Sequence, residues 1–209
     1  MKYAPIPNSL FIHNRKRFVK ELKPASLAIF NSNDIMPTSA DGSMPFIQNT
    51  DIFWLSGIDQ EESMLVVFPD SKLPEHREIL FLKETNKEIA IWEGEKLTKE
   101  RAAEVSGIQT VYWTHQFYSI LNPLMSECEN VYLNSNEHLR AFVEVETRDA
   151  RFVKWCQNRY PLHTYHRAAP VMHKIRAIKS KEEIDLIQTA CNITEKGFRR
   201  LLSFVKPGV

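Results

Sequence analysis

A chain of 209 residues exceeds the ~100–150 of one ordinary domain and falls short of two. Its 27 basic and 26 acidic side chains leave a formal charge of +1, so a surface built to coat nucleic acid or an anionic membrane is not expected. Hydrophobic residues at 43% supply a normal core, yet no apolar run approaches the ~20 residues of a membrane-spanning helix. The start, MKYAPIPNSLF, has one Lys and no apolar stretch behind it, so it does not read as a secretory signal. Cys128, Cys156 and Cys191 are scattered, odd in number and free of C-x-x-C spacing. Reduced thiols in or near packed structure, and a cytoplasmic address, are expected.

Leu10 to Lys23 reads as a helix, with Phe11, Phe18 and Leu22 on one face and Arg15, Lys16, Arg17 and Lys20 around it. SLAIF, Ser26–Phe30, has the length of a buried strand, and a polar loop runs from Asn31 to Pro45. IFWLSGI (Ile52–Ile58), MLVVF (Met64–Phe68) and EILFL (Glu78–Leu82) read as three strands of an antiparallel meander, because their connections are too short for crossover helices. Further on, helices are expected at Thr98–Val105, Phe117–Cys128 and Val145–Asn158, with strands at Val111–Trp113 and Val131–Leu133. Such alternation implies parallel neighbours, so the fold class is α/β with a mixed sheet flanked by helices. Arg159–Pro170 has two prolines and no apolar period and reads as a connector.

Beyond it, Ser180 to Glu183 forms a capping box. Ile184, Ile187, Cys191, Thr194, Phe198, Leu201, Leu202 and Val205 then recur at helical spacing until Lys206-Pro207-Gly208. A continuous apolar face on a helix from ~181 to ~205 requires a large partner surface. The simplest expectation is a downstream domain that this chain lacks, giving a first domain over 1–170 and the opening of a second over 171–209.

Few residues announce chemistry. His163, His166 and His173 have no Asp, Glu or Cys between them to complete a metal shell. G-x-S-x-G is missing, since Leu55-Ser56-Gly57 lacks the first glycine, and no glycine-rich phosphate loop occurs among six glycines, so nucleotide binding is not expected. Asp59, Glu61 and Glu62, like Glu182, Glu183 and Asp185, fall at a turn or a helix start, where solvation and capping account for them. Most aromatics fall on packing faces. Trp92 is the exception, placed near a strand-to-turn transition where a ring can stand exposed at an interface. In the loop before Ile52, Asn, Gln and Asp are expected to satisfy backbone groups.

Ser39-Ala40-Asp41, Pro45-Phe46, Gln48-Asn49 and Asp51 to Gly57 together resemble the signature of the aminopeptidase P N-terminal domain, approximately S-A-D-S-x-Y-P-Y-R-Q-N-S-D-F-x-Y-L-T-G. IWEGEKL (Ile91–Leu97) is similar to that domain's I-W-x-G-x-x-L segment. Pro170-Val171, His173, Arg176 and Lys179 to Ile184 resemble the junction with the metallopeptidase domain, and Lys206 to Val209 the K/R-P-G-x turn after its first helix. The resemblance implies a ribonuclease H-like first domain and the start of a pita-bread domain. It implies a parent Xaa-Pro aminopeptidase, whose two divalent metals, usually manganese, are held by two Asp, one His and two Glu. Those ligands belong downstream, so no cofactor is expected in this chain. It further implies a homo-oligomer, peptides with proline second as substrates, and two substrate-proximal positions, Asp41 and Trp92. The chain departs from the signature at Gly42, Met44 and Ile47, the last where the family has Arg. A non-catalytic interaction module of the same architecture, or a prolidase or creatinase relative, stays open as an alternative.

Overall fold

The computed structural model describes residues 4–137, 140 and 143–208. The chain divides into two compact units, Met1–His173 and Lys174–Val209.

The first unit begins with α1 (Asn8–Val19), which buries Leu10, Phe11 and Phe18. β1 (Ser26–Asn31) follows, then a long loop, α2 (Thr50–Ser56), β2 (Met64–Val67) and β3 (Glu78–Leu82). After α3 (Lys87–Glu93) and α4 (Lys99–Ser106) come β4 (Thr110–Trp113), α5 (Phe117–Glu127), β5 (Asn130–Leu133), α6 (Arg148–Arg159), β6 (Thr164–Arg167) and α7 (Ala168–Ala177), within which the division into units falls. The strands form one sheet in the order β4-β3-β2-β1-β5-β6. β2 is antiparallel to both neighbours, while β1/β5, β3/β4 and β5/β6 are parallel. Five strands therefore point one way and β2 alone runs against them. The sheet is mixed and flanked by helices, as expected for the α/β class.

Alternation along β1 divides its side chains between the two faces. Leu27 and Ile29 join Val66, Ile79 and Phe81 in a core closed by Phe117, Leu121 and Leu124 of α5 and by Phe152 and Cys156 of α6. Phe30 points the other way and meets Phe18 of α1 edge-on at 5.3 Å.

Several readings of the sequence need correction. Ile52–Ile58 is not a strand: Thr50–Ser56 is helix α2, and the meander is instead β1-β2-β3. Asn49 caps the helix by accepting from Asp51 N, and Gly57 ends it at φ +71. Ile52, Leu55 and Ser56 are its buried residues, at helical spacing, whereas a short continuous apolar run does not itself distinguish helix from strand. Arg159–Pro170 is not a bare connector, because it contains β6 and enters α7. β6 is an edge strand with no buried residue, so it carries no apolar period, and Pro170 sits in the first turn of α7, where its missing N–H has no intrahelical role. Arg15, read as lying outside the apolar face, is fully buried.

In the second unit α8 (Lys181–Phe204) carries the expected capping box, with Ser180 N donating to Glu183 Oε2 at 2.7 Å and Glu183 N to Ser180 Oγ at 3.2 Å. None of its residues is buried. Cys191 is exposed on this helix rather than packed, whereas Cys128 and Cys156 are buried, which pushes each of those thiols up to about 12. Val209, the end of the K-P-G-x match, lies outside the described residues. Among the described residues no helix is long and apolar enough to cross a membrane.

Candidate functional site at the carboxyl ends of β1, β3 and β5

In an open α/β sheet, chain that leaves the carboxyl ends of parallel strands is where side chains converge for binding. Here the loop 32–49 leaves β1, the segment before α3 leaves β3, and the chain from Asn134 leaves β5. The antiparallel course of β2 brings its preceding turn, 59–63, to the same end.

Asp41 sits at the tip of the first loop. Thr38 N donates to Gly42 O, Gly42 N to Ser39 O, and Met44 N to Met36 O, a tight turn in which Ala40 takes φ +50. Its side chain is exposed. Gly42, where the family signature has Ser, is closely bound by this turn, since an added Cβ would lie 2.8 Å from Thr38 Oγ1. The base of the loop is held by amides: Gln48 Nε2 reaches Ile58 O at 3.0 Å and Gln60 O at 2.9 Å, and Asn33 Nδ2 reaches Ile47 O at 3.0 Å. Gln48 and Asn49 thus satisfy backbone, as their residue types suggest.

Trp92 lies on helix α3, not at a strand end. Asn86 caps that helix through Glu88 N and Ile89 N, and neither Ile91 nor Trp92 is covered, the indole being 89% exposed. α3 is fastened by charge. Lys83 pairs with Glu93 at 2.8 Å and with Glu62 at 3.2 Å, and Lys96 pairs with Glu61. Burial alone would raise the Glu61 carboxyl, but the Lys96 hydrogen bond and charge outweigh it and hold the group below its usual range. Glu61 and Glu62 are therefore structural anchors rather than a solvated turn. No hydrogen bond, ion pair or ring contact joins Asp41 to Trp92 among the described residues, but both stand beyond the same end of the sheet.

A network that sequence reasoning missed fixes the root of the Asp41 loop to α6. Asp34 accepts from Arg148 N at 3.0 Å and from Arg151 Nη2 at 2.6 Å, while Arg148 Nη1 donates to Ser32 Oγ at 2.7 Å. Asn134 Nδ2 donates to Asp51 Oδ2 at 3.0 Å, joining the end of β5 to the start of α2. Asn31 Nδ2 donates to Asp149 Oδ1 at 2.8 Å, and both side chains are buried. These partners are 83 to 118 residues apart in the chain, so no local spacing reveals them.

Burial pushes the Asp149 carboxyl up to about 6, against the opposing pull of the Asn31 hydrogen bond and the Arg148 charge. The fold therefore holds this proton more tightly than the unfolded chain does. The resulting cost, on the order of 2 kcal/mol, is absent below about pH 4 and complete above about pH 7. Asn31 Oδ1 has no partner among the described residues, and an amide at 149 can donate to it. Asp149→Asn should therefore raise stability at pH 7 by up to ~2 kcal/mol, and the gain should shrink towards pH 4. Urea midpoints at the two pH values decide this, and a pH-independent difference would refute the assignment.

The remaining candidates are committed elsewhere. Ser56 lies in α2 and donates to Ile52 O at 2.7 Å, so it is not on a strained nucleophile turn. His163 Nε2 bonds Met125 O at 2.7 Å, and His166 Nε2 bonds Asn130 Oδ1 at 2.8 Å with its ring stacked on Tyr132. Among the described residues no group of three or more His, Cys, Asp or Glu side chains is placed to hold a metal. The cluster is tied down at its root by these hydrogen bonds and ion pairs, with an acidic tip and an exposed indole.

The model of the aminopeptidase P N-terminal domain family matches residues 11–132. The chain is 27% identical to an Escherichia coli Xaa-Pro aminopeptidase over 99% of its own length and 47% of that protein's. Human Xaa-Pro aminopeptidase 3 is 22% identical over 80% of this chain and 33% of its own. The solved structure of E. coli aminopeptidase P in its low-pH form aligns with a TM-score of 0.77 at 26% identity, covering 99% of this chain and 47% of that one. A Bacillus anthracis structure assigned provisionally to aminopeptidase P gives 0.82 at 24% identity over 92% of this chain and 46% of its own, a likeness of fold. This chain spans just under half the length of the curated bacterial relatives it matches. With more than half of its residues inside the family match, it belongs to the aminopeptidase P N-terminal domain family.

Proposed function

We propose that this chain is the N-terminal, non-catalytic part of a metal-dependent Xaa-Pro aminopeptidase. In this reading it shapes the substrate cleft and supports a homo-oligomer, and a second domain performs hydrolysis. The carrying observation is the family match over residues 11–132 in a chain that covers only 47% of an E. coli Xaa-Pro aminopeptidase. Two features support it. α8 presents Ile184, Ile187, Phe198 and Leu201 with none of them buried, the face a downstream domain would cover. The described residues do not fit a dinuclear centre, so in this reading the two divalent metals, manganese by the family resemblance, are held wholly by that domain. Free thiols at Cys128, Cys156 and Cys191 support a reducing compartment such as the cytoplasm.

In this assignment Asp41 and Trp92 border the cleft from the carboxyl end of the sheet. The test is an assay on a peptide with proline second, with manganese added, of this chain alone and of the longer protein that contains it. The longer protein should turn over and lose activity to a chelator, while this chain alone should be inert. Turnover by this chain alone, or none by the longer protein, would overturn the reading. Trp92→Ala in the longer protein should leave its folding stability within about 0.5 kcal/mol, because the ring is almost wholly exposed. Peptide KM or subunit association should change instead; a protein unaltered in both would remove Trp92 from the site.

A further inference from the structure

At the opposite end of the sheet from Asp41, a groove of about 690 Å3 opens between the C-terminal half of α1 and the amino ends of β3 and β4. That volume lies within the ~300–1,000 Å3 of small-molecule sites. Its charge is one-sided. Lys16 on α1 and Lys20 at its C-cap stand about one turn apart, with His13 before them, and Arg77, just ahead of β3, lines the groove with them. Two acids also line it, but Glu78 is already committed: its Oε2 lies 2.9 Å from Nη2 of the buried Arg15. Glu75 alone is left to oppose the cations.

The excess is local. The chain as a whole carries only +1, and several cations elsewhere are paired, as in Lys83 with Glu93, Lys96 with Glu61, Arg151 with Asp34 and Arg167 with Glu137. No ion pair among the described residues engages Lys16, Lys20 or Arg77. Basic residues near a helix C-terminus complement its dipole, which accounts for Lys16 and Lys20. It does not account for Arg77, which belongs to a different segment. Gly107 also lines the groove, with a left-handed backbone at φ +73.

We propose that this groove is a binding site for a metabolite-sized polyanion bearing two or more phosphate or carboxylate groups. More than one anionic group is required because the cations belong to separate segments of the wall. Side chains rather than a glycine-rich loop make the contacts, so the site needs no phosphate-loop motif. The proposal is independent of the peptidase reading and of any metal.

Calorimetric titration of the intact protein with sodium tripolyphosphate, and separately with citrate, tests it at 150 mM NaCl and pH 7. One-site binding of at least one probe is expected, and the stronger probe tells phosphate from carboxylate. The double variant Lys16→Glu/Arg77→Glu should weaken it at least tenfold. Lys87→Glu/Lys181→Glu, with the same change in net charge away from the groove, should leave it unchanged. If circular dichroism shows the first variant unfolded, Lys16→Gln/Arg77→Gln gives the same reading. The site is refuted if neither probe binds at this salt, where screening over ~8 Å suppresses diffuse attraction. It is refuted equally if the groove variant binds normally or the control weakens as much.

Discussion

Replacing Arg15 with Met should cost about 3 kcal/mol, the largest loss expected from any single polar side chain in the first unit. Arg15 is fully buried, and its Nη1 donates to Leu55 O at 2.8 Å and Ser106 O at 3.0 Å. Those carbonyls close the ends of α2 and α4, so one guanidinium joins three helices. Methionine keeps most of the volume and removes every donor, leaving two carbonyls without a partner at ~1–3 kcal/mol each before relaxation. The Glu78 contact is the lesser part, since that carboxylate is 34% exposed and can be solvated once freed. Glu78→Gln keeps an acceptor for Nη2 but leaves the buried guanidinium without its counter-charge, so it should cost about 1–2 kcal/mol, still less than Arg15→Met. Urea unfolding of the two variants separates the contributions. A loss below 1 kcal/mol for Arg15→Met, or equal losses for both, would show that the carbonyl bonds are not what makes the residue matter.

Arg15 also marks where the sequence stops being legible. Its neighbours Lys16 and Lys20 are exposed and Phe11 and Phe18 are buried, as the helical pattern on α1 requires. Only distant carbonyls decide that the next basic residue turns inward. Where signals were local the reading succeeded: the Ser180–Glu183 capping box, the buried runs of β1, β2 and β3, and the alternation that makes the sheet mixed. It failed at IFWLSGI, where the information lay in the flanking Asn49 cap and Gly57 stop rather than in the apolar run. It failed again at Thr164–Arg167, an edge strand whose pairing with β5 needs no apolar side chains. For the candidate site, composition marked the polar loop from Asn31 to Pro45 and singled out Trp92 as a ring that can stand exposed. The anchors Asp34, Arg148, Arg151 and Asn134 were invisible because each serves a partner brought close only by the sheet.

Gly57→Ala should be nearly as damaging, at about 2–3 kcal/mol, for two separable reasons. The residue ends α2 at φ +71, where a side chain costs ~1 kcal/mol or slightly more in backbone strain. Its missing Cβ would also lie 2.3 Å from Cε2 of Phe11, a ring that is 3% exposed and packed edge-on to Phe53 at 6.1 Å. A ring so enclosed has little room to retreat, so the helix or the ring must shift. Gly107 provides the control: it has nearly the same left-handed backbone at φ +73, but its added Cβ would meet Cδ1 and Cγ1 of half-buried Ile12, at 2.6 and 2.7 Å, a side chain with more room to rotate than the enclosed Phe11 ring. Gly107→Ala should pay little beyond the backbone strain, leaving Gly57→Ala the costlier by ~1 kcal/mol or more. The packing part should vanish in a cycle with Phe11→Leu, where the two losses together fall short of their sum. Additive losses, or equal costs at the two glycines, would mean that the approach of Phe11 does not constrain α2. Because α2 carries Asp51 and follows directly on the Asp41 loop, such looseness would reach the carboxyl end of the sheet.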